Sequence, residues 1–198
     1  MTLRFVALGD SYSIGTAVAK PERWPDQLVD RLAGAPPRLE LVANLAVNGY
    51  TSGDVIRDEL PALPALHPEL ISLLVGVNDV VQGVPAETFA ANVRSVLDAI
   101  VGLVGVHRIV VVTTPDYTVT PRGADYGDPV LQAAAIRANN AILAGLAAAD
   151  GIAVVDIHDL SLEALDDRSL VAEDGLHPSG AQYARWVDRI APVVERLL

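Results

Sequence analysis

The sequence predicts a three-layer α/β/α fold built on a parallel sheet. Two observations carry that expectation. Apolar runs of strand length alternate with amphipathic runs of helix length from end to end, and such alternation implies right-handed crossovers between parallel strands. The strand-like runs are also continuous in apolar character, as strands covered on both faces are.

The five expected strands are Leu3 to Leu8, Leu39 to Ala46, Leu70 to Val75, Arg108 to Thr113 and Ile152 to Ile157. Between them, Phe89, Val93, Val96, Ile100 and Leu103 recur at the three-and-four spacing of one helix face, and so do Leu131, Ala135, Ala138, Ile142 and Leu146. The last helix starts at Ser179-Gly-Ala-Gln182, read as a capping box, and turns Tyr183, Trp186, Ile190, Val194 and Leu197 inward. Pro192 lies inside it and predicts a bend. One long polar stretch, Thr114 to Pro129, leaves the fourth strand. A connection of that size in a compact domain is ordinarily functional or mobile, so it is expected beside the functional site; whether it acts as a lid stays open.

With 198 residues, 51% of them hydrophobic, the chain suits one well-cored domain over residues 1–198. Charged residues make up 20% and mean hydropathy is +0.34, far from a disordered composition. A formal net charge of -11 repels polyanions, so no nucleic-acid partner is expected, and anionic membranes are disfavoured. Zero cysteines exclude disulfides, a thiolate nucleophile and thiolate-bound metal. The apolar run after Met1 is too short for a signal-peptide core, and no stretch is expected to reach the length of a membrane span. The expectation is a soluble cytoplasmic protein of open oligomeric state.

In a parallel α/β sheet, ligands bind outside the carboxyl ends of the strands. There the sequence places Gly9-Asp10-Ser11, then Asn44 to Gly49, Gly76-Val-Asn78-Asp79, Thr114-Pro-Asp116, and onward Asp174-Gly-Leu-His177. A serine after a strand is ordinarily a turn residue or helix cap. As a nucleophile, Ser11 needs a base within reach and a group to orient that base. The i, i+3 spacing of Asp174 and His177 lets a carboxylate hold one ring nitrogen while the other faces Ser11. Pro178 restricts His177 to extended backbone, so the helix begins only after it. Asn48-Gly49 reads as a hairpin turn by itself, yet Tyr50 to Asp54 reads as the entry to a helix, where a glycine lets a backbone N–H approach a ligand. Asn78 is either a turn residue or a donor to developing negative charge.

These blocks, in this order, resemble the SGNH-hydrolase (GDSL lipase/esterase) superfamily, and Trp24 to Leu32 resembles its first helix. The resemblance implies a flavodoxin-like five-stranded sheet of order 2-1-3-4-5 and cofactor-free hydrolysis of small-molecule esters through an acyl-enzyme. By motif position it implies Ser11 as nucleophile, His177 as base and Asp174 as its orienting acid. Ser11 N–H, Gly49 N–H and the Asn78 side chain become the oxyanion hole. Asp10 and Asp79 are expected to brace the turns that aim Ser11 and Asn78. Tyr12, Asp116 and Tyr117 are expected to line the pocket from their positions after strands.

His67, His107 and His158 lack the spacing of a metal site, and none is expected; Asp156-Ile-His158-Asp159 is read as a strand end. Ser11 to Thr16 also has the Ser/Thr and Gly content of a phosphate loop, but a flavin or phosphate module leaves Asn78, Asp174 and His177 without a joint role. An inactive binding domain of the same fold is the other rival. Among hydrolases, esters of small or medium acyl chain are favoured, with thioesterase, arylesterase, lysophospholipase and carbohydrate deacetylase as alternatives using the same groups.

Overall fold

The computed structural model describes residues 2–34 and 36–198. Five strands, β1 (Thr2–Gly9), β2 (Arg38–Asn44), β3 (Leu70–Leu74), β4 (Ile109–Val112) and β5 (Ala153–Val155), form one sheet in the order β2-β1-β3-β4-β5. Every neighbouring pair is parallel. The helices are α1 (Ser11–Ile14), α2 (Trp24–Arg31), α3 (Ser52–Asp54), α4 (Leu63–Leu66), α5 (Val77–Val81), α6 (Ala86–Val104), α7 (Pro129–Ala149), α8 (His158–Leu162) and α9 (Gly180–Glu195).

The period of two along β1 divides its side chains between two cores. Leu3, Phe5 and Ala7 pack with Trp24 and Leu28 of α2 and with Tyr183, Trp186, Ile190 and Val194 of α9. Val6 and Leu8 pack on the other face with Phe89, Val93 and Leu97 of α6 and Leu143 and Ala147 of α7. Burying each such side chain fully stabilises the fold by roughly 1.5–3 kcal/mol. This is the three-layer arrangement the patterning implied. Continuous burial holds for β3 and β4, whereas the edge strands β2 and β5 are partly exposed, since among the described residues no strand pairs beyond them.

Four strands are shorter than expected, β3 by one residue, β4 by two, and the edge strands β2 and β5 for reasons visible in their bonding. β2 slips register between Phe5 and Val6, leaving Val42 as an extra residue, and its ladder ends at Asn44. The chain still tracks β1, with Leu45 N–H donating to Ala7 O at 2.9 Å. β5 covers only three residues because the Thr113 side chain takes over from the ladder: its hydroxyl donates to Asp156 Oδ1 at 2.7 Å and accepts from Ile157 N–H at 2.9 Å.

The capping box at α9 is only half formed. Ser179 Oγ accepts from Gln182 N–H at 3.4 Å, but the Ser179 N–H is already bound to Leu170 O at 2.8 Å, and Gln182 Nε2 donates instead to Leu160 O at 2.9 Å. The helix runs through Pro192 to Glu195. Contrary to expectation, one helix, α7, is long and apolar enough by length and composition to cross a membrane. Its polar Asn139 and Asn140 break up the apolar run, and they tie the helix to the sheet's carboxyl edge: Asn139 Nδ2 donates to Gly76 O at 3.2 Å and Asn140 Nδ2 to Thr114 O at 2.9 Å.

Candidate active site

β1 ends at Gly9, which has a φ of +140 and no room for a side chain: an added Cβ would stand 2.0 Å from Leu74 O. The chain therefore turns sharply, and Asp10 caps the short α1 by accepting from Tyr12 N–H at 3.0 Å. This bond holds the turn that carries Ser11. Ser11 becomes the first residue of α1, only 4% exposed, and its N–H has no acceptor among the described residues.

The base arrives on a second compact device. Ala172 N–H donates to His177 O and Ser179 N–H to Leu170 O, both at 2.8 Å, so Leu170–Ala172 pairs antiparallel with His177–Ser179. At its tip, Asp174 Oδ1 accepts from the N–H groups of Leu176 and His177 at 2.9 and 3.0 Å, while Oδ2 holds His177 Nδ1 at 2.6 Å. Burial alone would raise the Asp174 carboxyl, but the bonds from the His177 ring and the two backbone N–H groups outweigh it and leave the pKa below its ordinary value. The carboxylate thus fixes the ring and the backbone that carries it.

Ser11, Asn78 and His177 line one cavity of about 120 Å³, with Tyr12, Asn48, Val77, Val81, Tyr117, Tyr126 and Leu176. No hydrogen bond joins Ser11 to His177 among the described residues; the shared cavity brings them together. Asn78 enters from α5 and gives one amide hydrogen to Tyr50 O at 2.9 Å, which aims the other. Gly49 does not line the cavity and forms no hairpin. It sits in a turn closed by Tyr50 N–H to Val47 O at 3.2 Å, and needs glycine for its φ of +86 rather than for close packing. Gln82 Nε2 holds its carbonyl at 2.9 Å, and its N–H has no acceptor among the described residues.

Asp79 does more than brace its own turn. It accepts from Ser52 N–H at 2.9 Å and Ser52 Oγ at 2.5 Å, coupling α5 to the start of α3 and so Asn78 to the Gly49 turn. Burial raises its pKa despite those bonds. Tyr12 and Tyr117 line the Ser11 cavity, whereas Asp116 lines an adjoining one, its Oδ1 drawn to Thr118 N–H and Oγ1 at 3.0 and 2.6 Å. The Thr114–Pro129 stretch lies beside the site, pinned by Arg122 N–H to Gly175 O at 3.0 Å.

Sequence reasoning missed Tyr126, which meets Tyr117 edge-on at 5.7 Å and joins the cavity wall. It also missed Glu59, whose Oε2 accepts from Gly9 N–H at 2.9 Å although only 2% of the residue is exposed. An isolated glutamate among surface acids carries no local signal of such a partner. Among the described residues no three His, Asp or Glu side chains stand together as a metal site would require.

Residues 7–185 match the GDSL-like lipase/acylhydrolase family. The chain belongs to that family. It is also 31% identical over 102 residues to an arylesterase of Vibrio mimicus, a stretch covering 49% of this chain and 48% of that one, so the match spans about half of the curated relative. The fold is shared with an acetyl xylan esterase variant from Geobacillus stearothermophilus, TM-score 0.75 at 18% identity over 97% of this chain and 94% of that one. It is likewise shared with a lipolytic G-D-S-L protein from Veillonella parvula, TM-score 0.77 at 17% identity over 99% and 100% of the two chains.

Proposed function

We propose that the protein is a serine ester hydrolase that cleaves carboxylic esters of small or medium acyl chain through an acyl-enzyme at Ser11. The observation that carries the reading is the 2.6 Å Asp174–His177 pair opening onto the cavity that Ser11 and Asn78 line. The family membership supports it, as does the arylesterase name of the partial relative.

In this reading Asp174 keeps the Nδ1 hydrogen in place, so Nε2 is free to accept the Ser11 proton. Ser11 Oγ attacks the ester carbonyl. The negative charge that develops on oxygen is met by the Ser11 N–H and the free amide hydrogen of Asn78, with the N–H of Gly49, next in the chain to cavity-lining Asn48, as the third donor. The carbon–alkoxy bond then breaks, and the proton held by His177 passes to the departing alcohol. A water molecule repeats the sequence in reverse roles, releasing the acid and restoring Ser11. A cavity of about 120 Å³ suits a short acyl group better than a long chain.

The test is a panel of p-nitrophenyl esters from acetate upward, with fluorophosphonate labelling read by mass spectrometry. The expected result is an adduct on Ser11, activity that declines as the acyl chain lengthens, and no turnover by Ser11→Ala at an unchanged Tm. Sustained turnover by Ser11→Ala, or an unlabelled native protein, overturns the proposal.

A further inference from the structure

The segment that follows β2 is gripped at three successive points by one short helix. From α5, Gln82 Nε2 donates to Gly49 O and Asn78 Nδ2 to Tyr50 O, both at 2.9 Å, while Asp79 accepts from Ser52 N–H at 2.9 Å. Gln82 differs from the other two in being exposed. Its backbone is nevertheless held at the end of α5: Gln82 N–H donates to Asn78 O and Val84 N–H to Asp79 O, both at 2.8 Å. The amide therefore reaches Gly49 from a fixed origin.

The turn it reaches has little else to keep its shape. Val47 and Asn48 are exposed, and a Cβ added at Gly49 would meet nothing within 4 Å. Packing thus does not select the φ of +86 at Gly49, and a glycine passes between positive and negative φ at small cost. Hydrogen bonds have to select it. The peptide joining Gly49 to Tyr50 is held at both ends, its N–H donating to Val47 O at 3.2 Å and its carbonyl accepting from Gln82. The first of these is at the long end of the range for an N–H···O bond. Without Gln82, the plane of that peptide depends on this one weak bond.

Two torsions, both of Gly49, separate that plane from the Gly49 N–H, whose own peptide starts at the cavity-lining Asn48. Resting on the ester hydrolysis proposed above, we propose that Gln82 is a positioning residue for that reaction: by holding the Gly49 carbonyl it keeps the Gly49 N–H aimed at the oxygen on which negative charge develops. Gln82 itself is outside the cavity lining. Its contribution belongs to kcat rather than to KM, because a donor aimed at the oxyanion bonds most strongly in the transition state. A displacement of about 1 Å in such a site can cost about 10²-fold in rate.

The experiment uses Gln82→Leu, which keeps the bulk and loses the donor, and Gln82→Lys, which returns an N–H donor on a chain one bond longer. Hydrolysis of p-nitrophenyl acetate is measured in high salt, where the lysine charge is screened. Tm is measured alongside, with inhibition by butylboronic acid, whose boron takes up Ser11 Oγ to give a tetrahedral anion. Gln82→Leu is expected to lower kcat about tenfold and to weaken the boronate by about the same factor, with KM within about twofold of native. Its Tm is expected to stay within about 2 °C, since the position is exposed. Gln82→Lys is expected to recover most of kcat. Native kcat in Gln82→Leu overturns the proposal, as does a rise in KM alone or a kcat lost together with Tm. So does a kcat loss that the boronate does not share or that Gln82→Lys leaves unrepaired. Native protein with neither turnover nor the Ser11 adduct overturns instead the ester reading beneath it.

Discussion

Asn78 has two amide hydrogens and spends one on Tyr50 O. That bond holds the amide plane, so the second hydrogen is positioned before any substrate arrives. Preorganisation of this kind matters most when charge develops, which ties Asn78 to kcat rather than to ground-state binding. Asn78→Ala is expected to lower kcat by about 10²–10³ with little change in KM, the scale of one lost oxyanion donor. Steady-state kinetics on p-nitrophenyl acetate decide it: a rise in KM at constant kcat would place Asn78 in substrate binding instead. Asp174 works on a different principle. Its two oxygens serve two masters, the ring and the backbone of the same turn, so the orientation of the base and the shape of its loop depend on one carboxylate.

At the scale of elements, the turn after β1 rests on a contact from a stretch of π-helix, Val55–Glu59. Gly9 lies beyond the last β1–β2 partners, Ala7 and Asn44, and its N–H has a glutamate oxygen as partner in place of a backbone carbonyl. Such wide helical turns are rare and recur at functional sites. Glu59→Leu is expected to destabilise the fold by about 1–3 kcal/mol, because it strands a buried N–H, whereas Glu59→Gln keeps an acceptor and loses much less. Urea denaturation of the two variants checks this, and equal stabilities would show that the Gly9 bond contributes nothing.

The whole molecule answers to pH through the same region. Burial pushes Asp10 up to about 8, aided by the nearby Asp79, and pushes Glu59 up to about 8, aided by Asp10. Each is therefore neutral in the native state at a pH where the unfolded chain has already released its proton. The stability this contributes is complete below the unfolded carboxyl values near 4 and is lost as pH rises towards 8. Asp174, held low, acts with the opposite sign, but its loss falls at acid pH, below the unfolded aspartate value. Tm is thus expected to fall by about 5 °C or more between pH 5 and 8 and then level off, each kcal/mol moving Tm by about 2–4 °C in a chain of this size. Calorimetry across that range tests it; a Tm that climbs with pH would refute the buried neutral pair, and Glu59→Gln should flatten the slope.

The sequence alone determined the five apolar strands, the helices between them and the motif residues at their carboxyl ends, because periodicity, caps and turn residues are local properties of a few neighbouring positions. The blocks Gly9-Asp10-Ser11, Gly76-Val-Asn78-Asp79 and Asp174-Gly-Leu-His177 were legible together with their order, and the strand order followed from the family those blocks resemble. Only the tertiary structure decided that Ser11 and His177 line one cavity, that Glu59 meets Gly9, that Thr113 cuts β5 short and that Gln182 turns from its cap towards Leu160. In each case several partners lie within reach of one polar group, and which of them wins depends on burial and distance between segments far apart in the chain.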